Sequence, residues 1–141
     1  MRIEQVMTRD VVTARPEETL QTAGARMLET GVGMLPVNKD DRLIGVVTDR
    51  DMVVRGMAKG LDPRKATVRQ VMTPQVLCCF EDETVAEAGR KMEERAVRRL
   101  LVLNRDSRLV GVISLDDLAL LPDVGEVLGY VADVWPLAPT H

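Results

Sequence analysis

Aromatic side chains are almost absent: the 141 residues hold one Trp, one Tyr and one Phe, 2% of the chain. Any flat ligand is therefore expected to lie between aliphatic side chains rather than in a ring stack. Histidine occurs once, at His141, which supports neither a metal site nor a histidine-based catalytic centre. The two cysteines, Cys78 and Cys79, are neighbours, a spacing that neither closes a loop nor makes a C-x-x-C redox pair. No apolar run approaches the ~18 residues of a membrane span, and "MRIEQVMTRD" lacks the apolar core of a signal peptide. A basic excess is missing too: a net charge of −3 argues against a general nucleic-acid binder. Together these absences predict a cytoplasmic protein with no membrane association. What remains, 45% apolar and 29% charged residues, suits one ordinary globular domain or two very small ones sharing a core.

The chain repeats itself. "QVMT" stands at 5–8 and again at 70–73, and the same offset aligns Glu18–Thr19 with Glu83–Thr84, Ala23–Gly24 with Ala88–Gly89, and Met27 with Met92. One extra residue near Asn104 shifts the register, after which "RLIGVV" (42–47) matches "RLVGVI" (108–113) and Asp51 matches Asp117. Twenty identities in 48 aligned pairs along one nearly fixed diagonal identify a duplication rather than chance. The extents read as 1–61 for the first copy, 62–69 for a connector, 70–121 for the second copy and 122–141 for a tail. The tail's apolar residues, Val124, Val127, Leu128, Val131, Val134 and Trp135, space out as one more amphipathic helix.

Each copy reads as strand, helix, two strands, helix. "VVTA" (11–14) ends at Pro16 and suits an edge strand. Thr19 opens a helix whose Leu20, Ala23 and Met27 make an apolar stripe, and Thr84-x-x-Glu87 predicts a capping box at the matching helix. Gly24 and Gly89, mid-helix at a cost of ~1 kcal/mol each against alanine, suggest close packing on a sheet. "MLPV" (34–37) and "LIGVV" (43–47) are apolar enough for strands covered on both faces, and a last helix runs roughly from Arg50 to Met57 until Gly60 and Pro63 stop it. The fold class is thus mixed α+β, two β-α-β-β-α repeats packed sheet to sheet about a pseudo-two-fold axis.

The chemistry gathers where the last strand of each copy ends. "GVVTDRD" (45–51) sets Thr48 three residues before Asp51, and "GVISLDD" (111–117) sets Ser114 three before Asp117. One reading is a helix cap, the hydroxyl at N-cap and the carboxylate at N3. The other is a ligand site: a carboxylate only accepts hydrogen bonds, which suits a vicinal diol, while the hydroxyl and the helix-start amides remain for a phosphate. The two readings are compatible.

From about Ile3 to Leu121 the order of "VMT", "GVGMLPV" or "AVRRLLVL", and "LIGVVTDRDM" or "LVGVISLDDL", twice over, resembles a tandem pair of CBS domains, a Bateman module. The resemblance implies adenosine-containing ligands (AMP, ADP, ATP, S-adenosylmethionine or NAD) in clefts between the copies, with Asp51 and Asp117 on the ribose. It implies an adenine slot walled by Val12, Thr13, Leu35 and Pro36, or by Leu77, Cys78, Leu100 and Leu101. Leu101 departs from the proline common at that position. Arg99 matches a phosphate-reaching basic position, Arg50 is the first copy's phosphate candidate, and Asp116 stands where it would repel a phosphate. No cofactor is required and no enzymatic activity is expected: the nucleotide is a regulatory ligand, and the output falls on an unknown regulated protein. A homodimer through Met52, Val53, Leu118 and Leu121 is expected, and the competing reading is a dimerisation or scaffolding module that binds no ligand.

Overall fold

Thr19 accepts the Thr22 N–H through its hydroxyl and starts α1 (Leu20–Thr30), which ends at Gly31 in the left-handed region. Its stripe of Leu20, Ala23 and Met27 is buried as the spacing predicts. In this computed structural model the described residues are 1–74 and 76–121, so the tail helix expected over 122–141 lies outside them. They form two compact units. One runs from Val12 to Val76; the other joins Met1–Val11 to Leu77–Leu121.

In the Val12–Val76 unit, β1 (Met34–Lys39) pairs antiparallel with β2 (Arg42–Thr48). Their two-residue turn places Asp40 and Asp41 at positive φ, the geometry of a tight hairpin that matches strand twist. After β2 the chain forms α2 (Asp49–Asp51), continues through a π turn (Met52–Gly56) and a 3-10 turn (Met57–Lys59), and stops at left-handed Gly60. A short helix, α3 (Val68–Val71), follows. The core holds Leu20, Ala23, Leu35, Val37, Val47 and Val68.

The second unit has a 3-10 turn (Ile3–Gln5), β3 (Cys78–Phe80), α4 (Val85–Arg95), β4 (Arg99–Leu103), β5 (Leu109–Ser114) and α5 (Leu115–Ala119). Its sheet order is β3-β4-β5, with β3 parallel and β5 antiparallel to β4. Ile3, Cys79, Met92, Leu100, Val102 and Ile113 fill its core. Together the two units make a mixed α+β protein with two sheets.

The units draw their first segments crosswise from the sequence copies. The first "QVMT" lies on β5, where Thr8 and Val112 exchange backbone bonds of 2.9 Å each. The second lies on β2, where Val46 donates to Thr73 at 2.9 Å and Thr73 donates back at 2.8 Å. The segments are anchored by burial: Ile3 and Val68 are fully buried, worth ~1.5–3 kcal/mol each.

Four expectations need correction. "VVTA" forms no strand; Ala14 makes a single parallel bridge to Val37. The matching β3 is extended on both sides, by Leu101 N–H on the Leu77 carbonyl at 3.2 Å and Glu81 N–H on the Leu103 carbonyl at 2.9 Å, bonds that Pro36 and Pro16, lacking an N–H, cannot make. Thr84 accepts the Glu87 N–H at 3.2 Å, so the cap forms from one side, without a return bond from the Glu87 side chain. Gly24 is not close-packed, since a Cβ built there meets nothing within 4 Å. Leu118 is fully buried and Leu121 packs against the core, because α5 lays that face inward. Met52 likewise packs against its core, whereas Val53 is exposed as expected, with Val54 and Met57 exposed beside it.

At Gly45 an added Cβ would come 2.5 Å from the Thr73 carbonyl oxygen, and at Gly111 2.8 Å from that of Thr8. Gly45→Ala and Gly111→Ala should each destabilise by about 1–3 kcal/mol, since backbone cannot yield cheaply. Gly24→Ala should stabilise by up to ~1 kcal/mol. Urea denaturation of the three variants checks both signs.

Candidate ligand site

Both hydroxyl–carboxylate pairs are capping boxes. Asp51 N–H donates to Thr48 Oγ1 and Thr48 N–H to Asp51 Oδ2, each at 3.0 Å. Asp117 N–H donates to Ser114 Oγ at 3.1 Å, and Ser114 N–H to Asp117 Oδ2 at 2.8 Å. Such a cap is worth ~1 kcal/mol. The second oxygen of each carboxylate, Oδ1, takes no hydrogen bond from the described residues, and both side chains are half-buried. The atoms that close the helix start therefore leave acceptor capacity at the end of the strand.

The helix-start amides are less available than the sequence suggests. Asp49 N–H donates to the Gly33 carbonyl at 3.0 Å and Arg50 N–H to Asp49 Oδ1 at 2.8 Å, so with Asp51 the first three are committed. In the other unit Leu115 N–H bonds the Arg98 carbonyl at 2.8 Å and Asp117 N–H is in the cap. The side-chain donors placed to meet a phosphate are the Thr48 or Ser114 O–H and arginine.

Arg99 opens β4 directly opposite Ser114, whereas Met34 stands opposite Thr48 in the other sheet. Cross-strand neighbours lie close enough for their side chains to act together. Arg50 is exposed on the turn after β2. Arg98 reaches Asp116 at 3.5 Å, so the carboxylate expected to repel a phosphate is already countered by a cation.

The strand residues separate by face. Leu35 and Leu100 belong to the cores of their units. Pro36 and Leu101 are buried too, and as the next residues along the strands they project from the opposite faces of the sheets. Val12 and Thr13 are half-buried, Leu77 is exposed and Cys78 half-buried, while Cys79 turns into the core as strand alternation requires.

One arrangement went unread in the sequence although it lay on the repeat diagonal. Arg26 on α1 holds Glu18 through two bonds, at 2.7 and 3.0 Å, and donates to the Thr13 carbonyl at 2.8 Å. Glu18 also accepts the Arg15 N–H at 2.7 Å. In the second copy Lys91 bonds the Cys78 carbonyl at 3.2 Å and Glu83 at 3.4 Å, and Glu83 accepts the Phe80 N–H at 2.9 Å. The identity of Glu18 with Glu83 and the shared charge of Arg26 and Lys91 were the available signal. The Arg26 hydrogen bonds hold the Glu18 carboxyl below its usual pKa, against the opposing effect of burial. Its share of stability is thus present above the ordinary carboxylate pKa and lost as pH falls through the lowered value.

The family model described as CBS domain matches residues 3–56 and again 68–122. The chain belongs to the CBS-domain family. Hypoxic response protein 1 of Mycobacterium tuberculosis is 37% identical over 115 residues, covering 81% of this chain and 80% of that protein. An uncharacterised protein of Methanopyrus kandleri is 32% identical over 117 residues, of whose length this CBS pair spans only 60%. The crystal structure of Hypoxic Response Protein I with two coordinated zinc ions superimposes with a TM-score of 0.74 at 36% identity, over 84% of this chain and 97% of that one. The structure of CBSX2 in complex with AMP gives 0.73 at 25% identity, over 84% and 93%. Among the described residues of this CBS pair no three His, Cys, Asp or Glu side chains group as metal ligands. No helix among them is long and apolar enough to cross a membrane.

The two thiols report on the geometry. Burial pushes Cys79 up to about 12, with the Glu83 charge adding to it, while burial raises Cys78 against the opposing pull of Lys91. Titration of the native protein with a thiol reagent at pH 8 should modify Cys78 slowly and leave Cys79 unreacted until denaturant is added. Equal reactivity of both would contradict the strand orientation.

Proposed function

We propose that this CBS pair is a regulatory sensor that binds an adenosine-containing ligand and acts on a separate partner protein, without catalysis. AMP, ADP and ATP are the leading members of that class, with S-adenosylmethionine and NAD as further ones. The observation that carries the reading is the pair of caps: Asp51 and Asp117 each keep an oxygen beyond the one used by the helix start. A carboxylate so placed suits the two hydroxyls of a ribose. The binding of AMP by CBSX2 supports the same ligand class.

On this reading Thr48 or Ser114 donates its O–H to phosphate, assisted by Arg50 in one unit and Arg99 in the other. The Arg99 unit favours phosphorylated ligands, since the guanidinium fork matches phosphate oxygens and Arg98 offsets Asp116. The adenine rests on Val12, Thr13 and Pro36, or on Leu77, Cys78 and Leu101. Leu35 and Leu100, their side chains in the cores, contribute backbone. No cofactor is needed, and the protein works in the cytoplasm as a homodimer. The exposed Val53 and Val54 of the π turn and Met57 of the 3-10 turn after it form the pairing surface, since apolar groups clustered on a surface favour an interface. Light scattering should give a dimer, and Met57→Asp should shift it toward monomer.

Adenosine nucleotides should raise the melting temperature by roughly 6–10 °C at one hundred times Kd, and guanosine or cytidine nucleotides much less. Asp117→Ala should weaken AMP and adenosine alike, whereas Arg99→Ala should weaken AMP and leave adenosine nearly untouched; the melting temperature without ligand separates lost capping from lost binding. A chain that responds to none of these nucleotides is a ligand-free scaffold instead.

A further inference from the structure

We propose that Arg26 is a positioning residue for the Val12–Thr13 segment, and that through the Thr13 carbonyl and Glu18 it sets the ligand affinity of its unit. The inference rests on the adenosine-binding reading above. Val12 packs on the core and Ala14 is buried, but few backbone bonds fix the segment. Among the described residues its ladder bonds to the sheet are those of the Ala14 bridge, Ala14 N–H on the Pro36 carbonyl at 2.8 Å and Asn38 N–H on the Ala14 carbonyl at 2.9 Å. Pro16 cannot add the next ladder bond. Arg26 supplies the missing restraint on one side at the Thr13 carbonyl, and Glu18 on the other at the Arg15 N–H.

The second copy needs its clamp less. There β3 is a true strand paired over Cys78–Phe80, extended by Leu101 N–H on the Leu77 carbonyl at 3.2 Å and Glu81 N–H on the Leu103 carbonyl at 2.9 Å. Its clamp is also looser: Lys91 is a point donor at 3.4 Å from each Glu83 oxygen, where Arg26 makes a fork at 2.7 and 3.0 Å. A planar fork fixes orientation as well as distance. The Arg26 and Glu18 side chains are 29% and 19% exposed, sheltered enough for the pair to resist screening. The two copies thus hold equivalent segments by different means: a ladder where the chain permits one, a charged clamp where proline forbids it.

Isothermal titration with AMP on full-length Arg26→Met, Lys91→Met and Arg26→Lys, with amide hydrogen exchange on the ligand-free proteins, tests this. Arg26→Met should weaken AMP by about tenfold at one class of site, as loss of a charge-assisted bond implies, and speed exchange at Ala14 and Arg15. Arg26→Lys should recover most of both, because a lysine serves at the matching place. Lys91→Met should stay within about twofold of wild type and leave Phe80 and Glu81 protected. A merely structural Arg26 would lower the melting temperature without moving the AMP isotherm taken well below it. If Arg26→Met does not fold, Glu18→Gln must show the same loss in smaller measure. AMP affinity unchanged in these variants while wild type binds normally overturns this inference alone; a wild type that binds neither AMP nor adenosine overturns the functional reading and this inference with it.

Discussion

Each unit depends on a backbone approach that only glycine allows. Thr73 pairs with Val46, and Thr8 with Val112, because Gly45 and Gly111 bring no Cβ into the path of the incoming carbonyl. Through that pairing a segment from one sequence copy completes the unit built around the strands of the other. The first copy's Ile3 and Met7 finish the core of the unit that holds β5, and the second copy's Val71, with Val68 at the end of the connector, finishes the core that holds β2. A copy of about 60 residues buries too little surface to stand comfortably alone, and exchanging first segments ties the two copies through their own cores.

The same economy of atoms operates where β2 and β5 end. Thr48–Asp51 and Ser114–Asp117 first satisfy orphan backbone donors of the turns they start. That commitment limits what a ligand can use. The committed amides are unavailable to an anion, so the proposed recognition of a nucleotide rests on the second carboxylate oxygen, the hydroxyl proton and the nearby arginines. On the proposed function, folding and binding draw on one set of groups, and a substitution at either aspartate should affect both.

Duplication left the two units alike in plan and different in restraint. Pro16 against Glu81, Gly33 against Arg98, and Arg26 against Lys91 each change how a segment near the site is held. Where Gly33 stands, an added Cβ would come 2.9 Å from Asp49 Oδ2, so that unit keeps an acidic group close to the strand end. Where Arg98 stands, a guanidinium reaches Asp116 instead. The electrostatic surroundings of the two aspartates differ accordingly, although the caps themselves are nearly superimposable in their distances.

Local rules made much of this legible in advance. The repeat, the α1 stripe, the apolar strands, the Thr48 and Ser114 caps and the inward Cys79 follow from periodicity and from hydrogen bonds that span three residues. Sequence alone thereby determined the family and the residue types offered at each strand end. Tertiary structure decided what depends on a distant partner. It alone showed that Pro36 and Pro16 together reduce "VVTA" to one bridge, since each lost bond joins segments more than twenty residues apart. It showed that Gly24 faces open space while Gly45 does not, a difference that no helix or strand period encodes. It turned Leu118 inward and joined Arg26 to the Thr13 carbonyl. Such facts belong to contacts between segments far apart in the chain, and their energy is set by geometry that a linear pattern does not carry.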